Sequence, residues 1–260
     1  MNPPQKFSID LNEEFPTLAS SPSIEAVIHW QVPAKKTLDF TTLQAELSRR
    51  LPDYPICQPM YDFQVSATGS IEGSIETSQR NQWSGFRLQD EQARHVAQFT
   101  QAGVVFSRLA PYEEWNTFQS EAMRFWEVFV ELAAPAAIDR LGVRYINRIL
   151  LGDGELPSLY LKSVPSSLSG VELPNPSFFY QDLYQVPGYP YSIDWVRTIQ
   201  PEGVELGNRR ALLVDIDVFI TDLLDFDQRT LARRLLEMRW LKNKFFFSCM
   251  TQSALERFGA

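Results

Sequence analysis

Two aspartates have a spacing that could serve metal binding or proton transfer. Asp215 and Asp217 stand two positions apart in an apolar run, and residues two apart share one face of a β-strand. Paired carboxylates on one face can bind a metal ion or share a proton. Asp194, in the preceding predicted strand, is a candidate to join them, but no His or Cys is placed to complete a metal site. The alternative is that these acids pair with arginines of the chain or face water.

Two arginines form the second candidate group. Arg144 and Arg148 are four positions apart in a predicted strand and therefore share a face. Guanidinium groups bind phosphates and carboxylates through paired hydrogen bonds. The alternative is that both pair with the chain's own acids. The predicted ligand-binding residues are therefore Arg144, Arg148, Asp215 and Asp217, with no catalytic residue, metal or cofactor predicted.

Other catalytic signatures are missing from the sequence. The two histidines, His29 and His95, both fall on predicted strands. The two cysteines, Cys57 and Cys249, are far apart and match neither a disulfide framework nor a zinc pattern, which favours a reducing, cytoplasmic compartment. No glycine-rich phosphate loop of the GxGxxG or Walker type occurs.

Charge and hydropathy limit the classes of partner. The 260 residues carry a net charge of −8, which disfavours both nonspecific nucleic-acid binding and attraction to an anionic membrane. No apolar run reaches the roughly 18 residues of a membrane span, and residues 1–21 lack the apolar segment of a signal peptide. A local basic side on the last helix is the one exception, and it is formed by Arg233, Arg234, Arg239, Lys242 and Lys244.

The elements that position the arginines lie between residues 99 and 150. Pro111 suits the first turn of a helix, and the apolar residues after it recur at steps of three and four. This stripe predicts a long helix packed on a core, which Pro135 ends. A short helix over 135–140 and a strand over 143–150 are expected next. The apolar stripe consists of Trp115, Phe118, Ala122, Phe125, Trp126, Phe129, Leu132 and Ala133.

The remaining elements are expected to form an antiparallel sheet with two further helices. One helix is predicted from a Thr41 or Thr42 cap to 51, and another over 228–250 from an Asp225 or Asp227 cap. Polar residues 69–82 are predicted to be a long hairpin loop, and residues 152–176 a junction. Strands are predicted over 24–32, 60–67, 83–88, 94–100, 104–109, 177–186, 191–200 and 210–220.

The chain is predicted to consist of two related halves. Residues 137–142 and 254–259 have similar sequences and lie 117 positions apart, and that offset aligns Phe118 with Leu235 and Phe129 with Phe246. We therefore expect an α+β fold in which each half is an antiparallel sheet packed by a long aromatic helix, with ferredoxin-like topology. The predicted divisions are a tail at 1–22, a first half at 23–152 and a second half at 153–260.

The most specific motifs resemble one bacterial family. They are the LAPYEEW run at 109–115 and the RLGVRYINRI run at 140–149, supported by the IEAV run at 24–27 and the final ALERFG run at 254–259. The family is sporadically distributed, has no known function and supplies no catalytic residues. Its patchy distribution implies mobile loci, such as phage-defence or toxin–antitoxin loci.

Three functions are weighed on these observations. The first is a non-enzymatic binding or regulatory protein that contacts a protein partner or a second copy of itself, favoured by an aromatic content of 13%. The second is a nucleic-acid-binding module that uses the Arg144 and Arg148 face or the last helix. The third is an enzyme with an Asp/Arg site. The expected order of preference is the order given.

Overall fold

The described part of this computed structural model comprises residues 7–69, 75–111, 114–164, 176–222 and 227–260. These residues form nine strands: β1 (Ser23–Gln31), β2 (Ile56–Gly69), β3 (Ile75–Gln89), β4 (His95–Thr100), β5 (Gly103–Leu109), β6 (Arg140–Leu150), β7 (Phe179–Gln185), β8 (Ser192–Gly203) and β9 (Arg209–Ile220). The α-helices of these residues are α1 (Phe40–Arg50), α2 (Trp115–Ala133), α3 (Gln228–Cys249) and α4 (Gln252–Arg257).

All nine strands belong to one antiparallel sheet in the order β2-β3-β4-β5-β1-β6-β9-β8-β7. Strands β1 and β6 lie side by side at the centre, and Ile28 faces Val143 across them. The α+β class and the antiparallel sheet are therefore confirmed. The strands of both predicted halves lie in this single sheet, and its two ends are β2 and β7.

The helices cover one face of the sheet because the strands alternate between buried apolar residues and more exposed ones. On the covered face Trp30 stacks on Trp126 of α2 at 5.5 Å between ring centroids, and Phe106 stacks on Phe118 at 5.7 Å. Trp195 of β8 meets Phe245 of α3 at 5.1 Å. The aromatic stripe of α2 is thus core packing, and each such ring contributes about 3–5 kcal/mol to stability. None of the described helices is long and apolar enough to cross a membrane.

Several boundaries differ from the sequence predictions for local reasons. Helix α1 is capped by Asp39, whose carboxylate accepts the backbone N–H of Thr42 at 3.0 Å, so the predicted threonine cap was wrong. Helix α2 begins at Trp115 rather than in the turn at Pro111, because Glu114 has extended cap geometry. Asp227 caps α3 as predicted, whereas the alternative cap Asp225 lies outside the described residues.

The predicted helix over 135–140 is not formed. Ala134 ends α2 in the left-handed region, and the N–H of Asp139 donates to the carbonyl of Gln31 at 3.0 Å, so the chain is already joining β1. Strand β6 then begins at Arg140. The similar sequences at 137–142 and 254–259 therefore adopt different structures, since the second lies largely in α4.

The polar stretch predicted as a loop over 69–82 is largely strand. Strand β3 begins at Ile75, which faces Gly69 of β2, while residues 70–74 lie outside the described part. Strand β4 pairs with β3 only over 85–89, so the first part of β3 pairs with β2 alone. The sequence of this first part, rich in Ser, Thr, Gln and Asn, lacks the apolar alternation that predicts a strand, so backbone pairing with β2 could not be read from it.

Candidate functional site

The predicted site residues lie together on the face of the sheet that points away from α2 and α3. We call this surface the open face, and we define it by the side chains of Val27, Arg144, Asp215 and Asp217. Over residues 143–150 of β6 the buried positions are Val143, Tyr145, Asn147 and Ile149, and the alternate residues point to the open face, as their spacing predicted. Strand β9 alternates in the same way, so the acids and arginines meet because β6 and β9 are neighbours.

Arg144 and Asp215 form a two-oxygen ion pair. Nε of Arg144 donates to Oδ1 of Asp215 at 2.9 Å and to Oδ2 at 3.0 Å. The hydrogen bonds that Arg144 donates to Asp215 raise the pKa of Arg144 above its ordinary value. Both oxygens of Asp215 are thus engaged, and a metal ion would have to displace the guanidinium. The alternative interpretation, pairing within the chain, applies to these two residues.

Asp217 is held by Arg140, which the sequence analysis missed. Nη2 of Arg140 donates to Oδ2 of Asp217 at 2.6 Å, although the residue directly opposite Asp217 in the β6 register is Arg144. Burial raises the pKa of Asp217 and the Arg140 charge opposes that rise. Arg140 could have been found from the sequence, because it lies four positions before Arg144 and residues an even number apart share one face of a strand. The predicted start of the strand at 143 excluded it.

Gly142 leaves the space that the Arg140 guanidinium occupies. A β-carbon at position 142 would lie 2.7 Å from Nη1 of Arg140 and 3.3 Å from Oδ1 of Asp217. The first of these distances is too short for any contact, so a side chain here would push the guanidinium away. Gly142 is therefore part of the ion-pair site, because it lets two charged groups from β6 and β9 approach each other.

A pocket of about 210 Å³ opens beside this ion pair. His29 lies in it with Nδ1 3.4 Å from Nη1 of Arg140, and burial together with the Arg140 charge lowers the pKa of His29 to about 4. Oδ1 of Asp217 is buried and has no hydrogen-bond partner. The pocket is lined by Val27, His29, Val105, Arg140, Gly142, Arg144 and Asp217.

The two remaining candidates do not join the ion pairs. Arg148 faces Leu213 of β9, and its side chain makes no ion pair within the described ranges. Asp194 faces Asp217 in register, yet its carboxylate accepts the Gln181 amide of β7 at 2.8 Å. Among the residues that the structure describes, no group of three His, Cys, Asp or Glu side chains could hold a metal ion. The geometry therefore gives Asp215 and Asp217 guanidinium partners and no assembled metal site.

A second pocket of about 460 Å³ lies at the turn between β3 and β4. Asp90 accepts hydrogen bonds from the backbone N–H of Arg94 at 2.7 Å and of His95 at 3.0 Å, and its other oxygen lies 2.9 Å from Nδ1 of His95. Burial raises the pKa of Asp90, but the hydrogen bonds outweigh it and lower the pKa overall. Asp90 thus closes the hairpin. The pocket is lined by Asp53, Tyr54, Asp90, His95, Thr117, Ser120 and Glu121.

The basic residues of α3 are engaged within the chain. Arg233 and Arg234 both donate to Glu237, at 2.9 and 3.2 Å. Lys242 lies 3.8 Å from the centre of the Tyr145 ring, and Lys244 pairs with Glu13 at 2.6 Å. These contacts divide the basic side of the last helix among separate partners, which leaves the nucleic-acid alternative without a continuous basic surface on α3.

Strand β7 forms one end of the sheet and is the most exposed strand whose side chains are described throughout. Six of its seven residues are exposed and the seventh, Asp182, is half-buried and pairs with Arg197. Four large side chains reach solvent: Phe179 is 66% exposed, Leu183 63%, Tyr180 45% and Tyr184 43%. The sequence predicted this strand but not its place at the end of the sheet, because strand order depends on pairing between distant segments.

Comparison with known proteins gives no identification. No family model matches the chain, and no curated protein is detectably similar to it. The resemblance carried by residues 109–115 and 140–149 therefore stays a prediction.

Proposed function

We propose that this chain is a non-enzymatic binding protein that acts by contacting other polypeptide chains, and that strand β7 is its contact surface. The observation that carries the proposal is the exposure of four large apolar or aromatic side chains on a strand that ends the sheet. Exposed apolar groups clustered on one surface are typical of protein interfaces, and aromatic side chains are enriched there. The unpaired backbone of an edge strand adds hydrogen-bonding groups to the same surface.

The two ends of the sheet differ in a way that supports β7. Strand β2 contains Pro59 and a register irregularity between Met60 and Tyr61, and both features hinder pairing with another chain. Strand β7 contains neither feature, and its pairing with β8 is regular from Phe179 to Gln185. Its one charged residue, Asp182, is neutralised by Arg197. The β7 edge therefore lacks the protection that monomeric sheets usually have.

We further propose that the two halves, 23–152 and 153–260, arose by duplication of a ferredoxin-like unit. The strand order supports a duplication in which β6, the last strand of the first half, is the counterpart of β1. Strands β5, β4 and β3 follow β1 outward on one side, and β9, β8 and β7 follow β6 on the other. Each meander is followed in sequence by a long helix, and both Phe129 and Phe246 are buried. A duplicated unit doubles the sheet and places β7 at an edge.

The cellular setting belongs to the same proposal. The free thiols Cys57 and Cys249 suit a reducing cytoplasm. The resemblance to a sporadically distributed bacterial family implies a regulatory role in a mobile phage-defence or toxin–antitoxin locus. A protein of that kind acts through its contacts with other chains, which agrees with an exposed sheet edge.

The test compares two leucine substitutions matched in chemistry and exposure. Leu183 in β7 is 63% exposed and Leu156, outside the sheet, is 62% exposed. Native mass spectrometry of protein purified from its own host would identify chains bound to the wild type, to Leu183→Lys and to Leu156→Lys. We expect a stoichiometric chain, either a second copy or another protein, on the wild type and Leu156→Lys but not on Leu183→Lys. Equal binding by all three proteins would contradict the proposal.

A further inference from the structure

The pairing of β7 with β8 determines which backbone N–H and C=O groups of β7 point away from the sheet. The N–H of Val186 donates to the carbonyl of Tyr191, and the N–H of Ile199 donates to the carbonyl of Phe178. Hydrogen-bonded residues alternate along an antiparallel strand, so Tyr180, Asp182 and Tyr184 use their backbone groups on β8. The N–H and C=O groups that point to the free edge therefore belong to Phe179, Gln181, Leu183 and Gln185.

The same residues place their side chains on the open face. Leu183 faces Asp194 of β8 and Phe179 faces Thr198, both of which alternate with the buried residues of that strand. Phe179 and Leu183 are also the two most exposed of the four large apolar or aromatic residues of β7. A strand added at this edge would form backbone hydrogen bonds with these residues and would also contact the apolar side chains of Phe179 and Leu183. The edge thus has the two components used in recognition by strand addition.

We propose that the strand that pairs with β7 is β7 of a second copy, antiparallel, with Gln181 opposite Gln181 of that copy. This inference rests on the proposed function, since it names the chain that occupies the contact surface. In this register Phe179 of each copy lies opposite Leu183 of the other. The twofold axis produces this apolar pair twice, so Phe179 and Leu183 of both copies are covered. Two identical edges related by a twofold axis form a closed, self-complementary interface.

Charge, hydrogen bonding and apolar contacts favour this register over the registers whose twofold axis lies one residue away. With Gln181 at the twofold axis, Asp182 lies opposite Tyr180 of the other copy, whose hydroxyl can donate to a carboxylate. A shift that centres the axis on Asp182 would place two carboxylates directly opposite each other, which destabilises a strand pair. A shift that centres it on Tyr180 would place Phe179 opposite Gln181 and leave Leu183 without an apolar partner. The strand carries no other charge, so the chain's net charge of −8 is not concentrated at this edge.

The dimer would join two nine-stranded sheets into one continuous sheet. Residues opposite each other in an antiparallel pair point to the same face, so both open faces would lie on one side. The two Arg140–Asp217 sites would then share one surface, with the helices of both copies on the other. The open face of the dimer would then be twice as long as that of a single chain.

Single cysteines in β7 would report the register directly. In a Cys57→Ser background, the variants Tyr180→Cys, Gln181→Cys, Asp182→Cys and Leu183→Cys would be oxidised with diamide and run on non-reducing gels. Hydrogen-bonded opposite residues have Cα atoms about 5.5 Å apart, which suits a disulfide. We expect Gln181→Cys to form the covalent dimer at least about tenfold faster than the other three. Preferential cross-linking of Tyr180→Cys, Asp182→Cys or Leu183→Cys would overturn the register.

Sedimentation of the unmodified chain tests the dimer itself. We expect a species of twice 29.9 kDa for the wild type and for Leu156→Lys. Leu183→Lys should weaken the dimer at least about tenfold, because it places a charge opposite Phe179 at two symmetric positions. Circular dichroism would verify that Leu183→Lys remains folded, as its exposure predicts. A wild type that stays monomeric over the concentration range would overturn the dimer, and if it still bound another protein through Leu183 the proposed function would stand.

Discussion

Arg140 and Asp217 form an ion pair across strands β6 and β9 even though neither residue stands opposite the other in the register. Their atoms Nη2 and Oδ2 are 2.6 Å apart, and both side chains are about one-fifth exposed. The residue opposite Asp217 is Arg144, which turns instead to Asp215. Each arginine thus reaches an acid diagonally, and Gly142 supplies the space for one of these contacts.

A double-mutant cycle between positions 140 and 142 would measure that steric relationship. Arg140→Ala removes the partner of a largely buried carboxylate and should lower the free energy of unfolding by about 2 kcal/mol. Gly142→Ala alone should lower it by about 1 kcal/mol, because the new methyl group displaces the guanidinium. In the Arg140→Ala background the effect of Gly142→Ala should vanish or become slightly stabilising, since glycine is a poor strand residue.

Urea unfolding of the wild type and the three variants gives the four free energies of this cycle. The substitution Gly188→Ala would not serve as a control, because the backbone at Gly188 has a φ of +80° and an alanine there would be strained. Additive effects at 140 and 142 would contradict the steric explanation.

Protonation of His29 should make stability depend on pH. Burial and the Arg140 charge lower the pKa of His29 from 6.5 to about 4. Between these values the unfolded chain binds a proton at His29 and the native chain does not, so stability falls as pH falls from about 6.5 towards 4. Above pH 6.5 the full contribution is present. The loss attributable to His29 should approach about 3 kcal/mol at the acid end.

Replacement of His29 by glutamine isolates this contribution. Unfolding free energies of the wild type and His29→Gln, measured from pH 7 to pH 4, should converge as pH falls because only the wild type loses the His29 contribution. Other titrating groups act on both proteins and cancel in the difference. Parallel pH profiles would show that His29 keeps its ordinary pKa in the native state.

Glu237 should be the most sensitive charged position of α3. It is only 4% exposed, and it accepts hydrogen bonds from Tyr191, Arg233 and Arg234. Glu237→Leu leaves these donors without their acceptor and should lower the free energy of unfolding by about 3 kcal/mol. The matched change Glu256→Leu, at an exposed position of α4, should change it by less than about 0.5 kcal/mol.

Thermal and urea unfolding of both leucine variants would test this difference. Tyr191→Phe offers an internal check, because it removes one of the donors. The effect of Glu237→Leu should be smaller in a Tyr191→Phe background. Equal effects of Glu237→Leu in the two backgrounds would mean that the Tyr191 hydrogen bond contributes nothing.

The two cysteines should react with thiol reagents at different rates. Cys249 is buried, its pKa is raised to about 12 by burial, and its thiol donates to the carbonyl of Phe246 at 3.2 Å. Cys57 is half-buried, and burial raises its pKa as well. An aromatic disulfide reagent at pH 8 should therefore modify Cys57 first, and Cys249 only as the chain unfolds.

Stopped-flow absorbance would follow the two reactions. Cys57→Ser should remove the faster phase and Cys249→Ser should leave it. Two phases of equal rate in the native wild type would show that Cys249 is accessible, contrary to its position in the core.

Local sequence determined the faces of the central strands. The alternation along 143–150 and 213–219 predicted which residues share a face, because the side chains of a strand point alternately to its two sides. It also predicted the long aromatic helix, since α2 must bury its stripe. The same reasoning did not predict the pairing of β2 with the polar first part of β3, where the sequence has no apolar alternation. It also predicted a helix over 135–140 that is not formed, because the N–H of Asp139 binds the carbonyl of Gln31 instead.

Tertiary structure alone decided the pairings and the edges. Arg140 meets Asp217 because residues 77 positions apart are joined by the register of β6 on β9. Strand β7 is exposed because it is last in the sheet order and not because of its composition. The sequence by itself determined the strand and helix periodicities, the charges and the apolar faces, since these depend on residues that are close together in the sequence. The contacts between distant strands depend on which segments pair and in which register, and that is settled by packing the whole core at once.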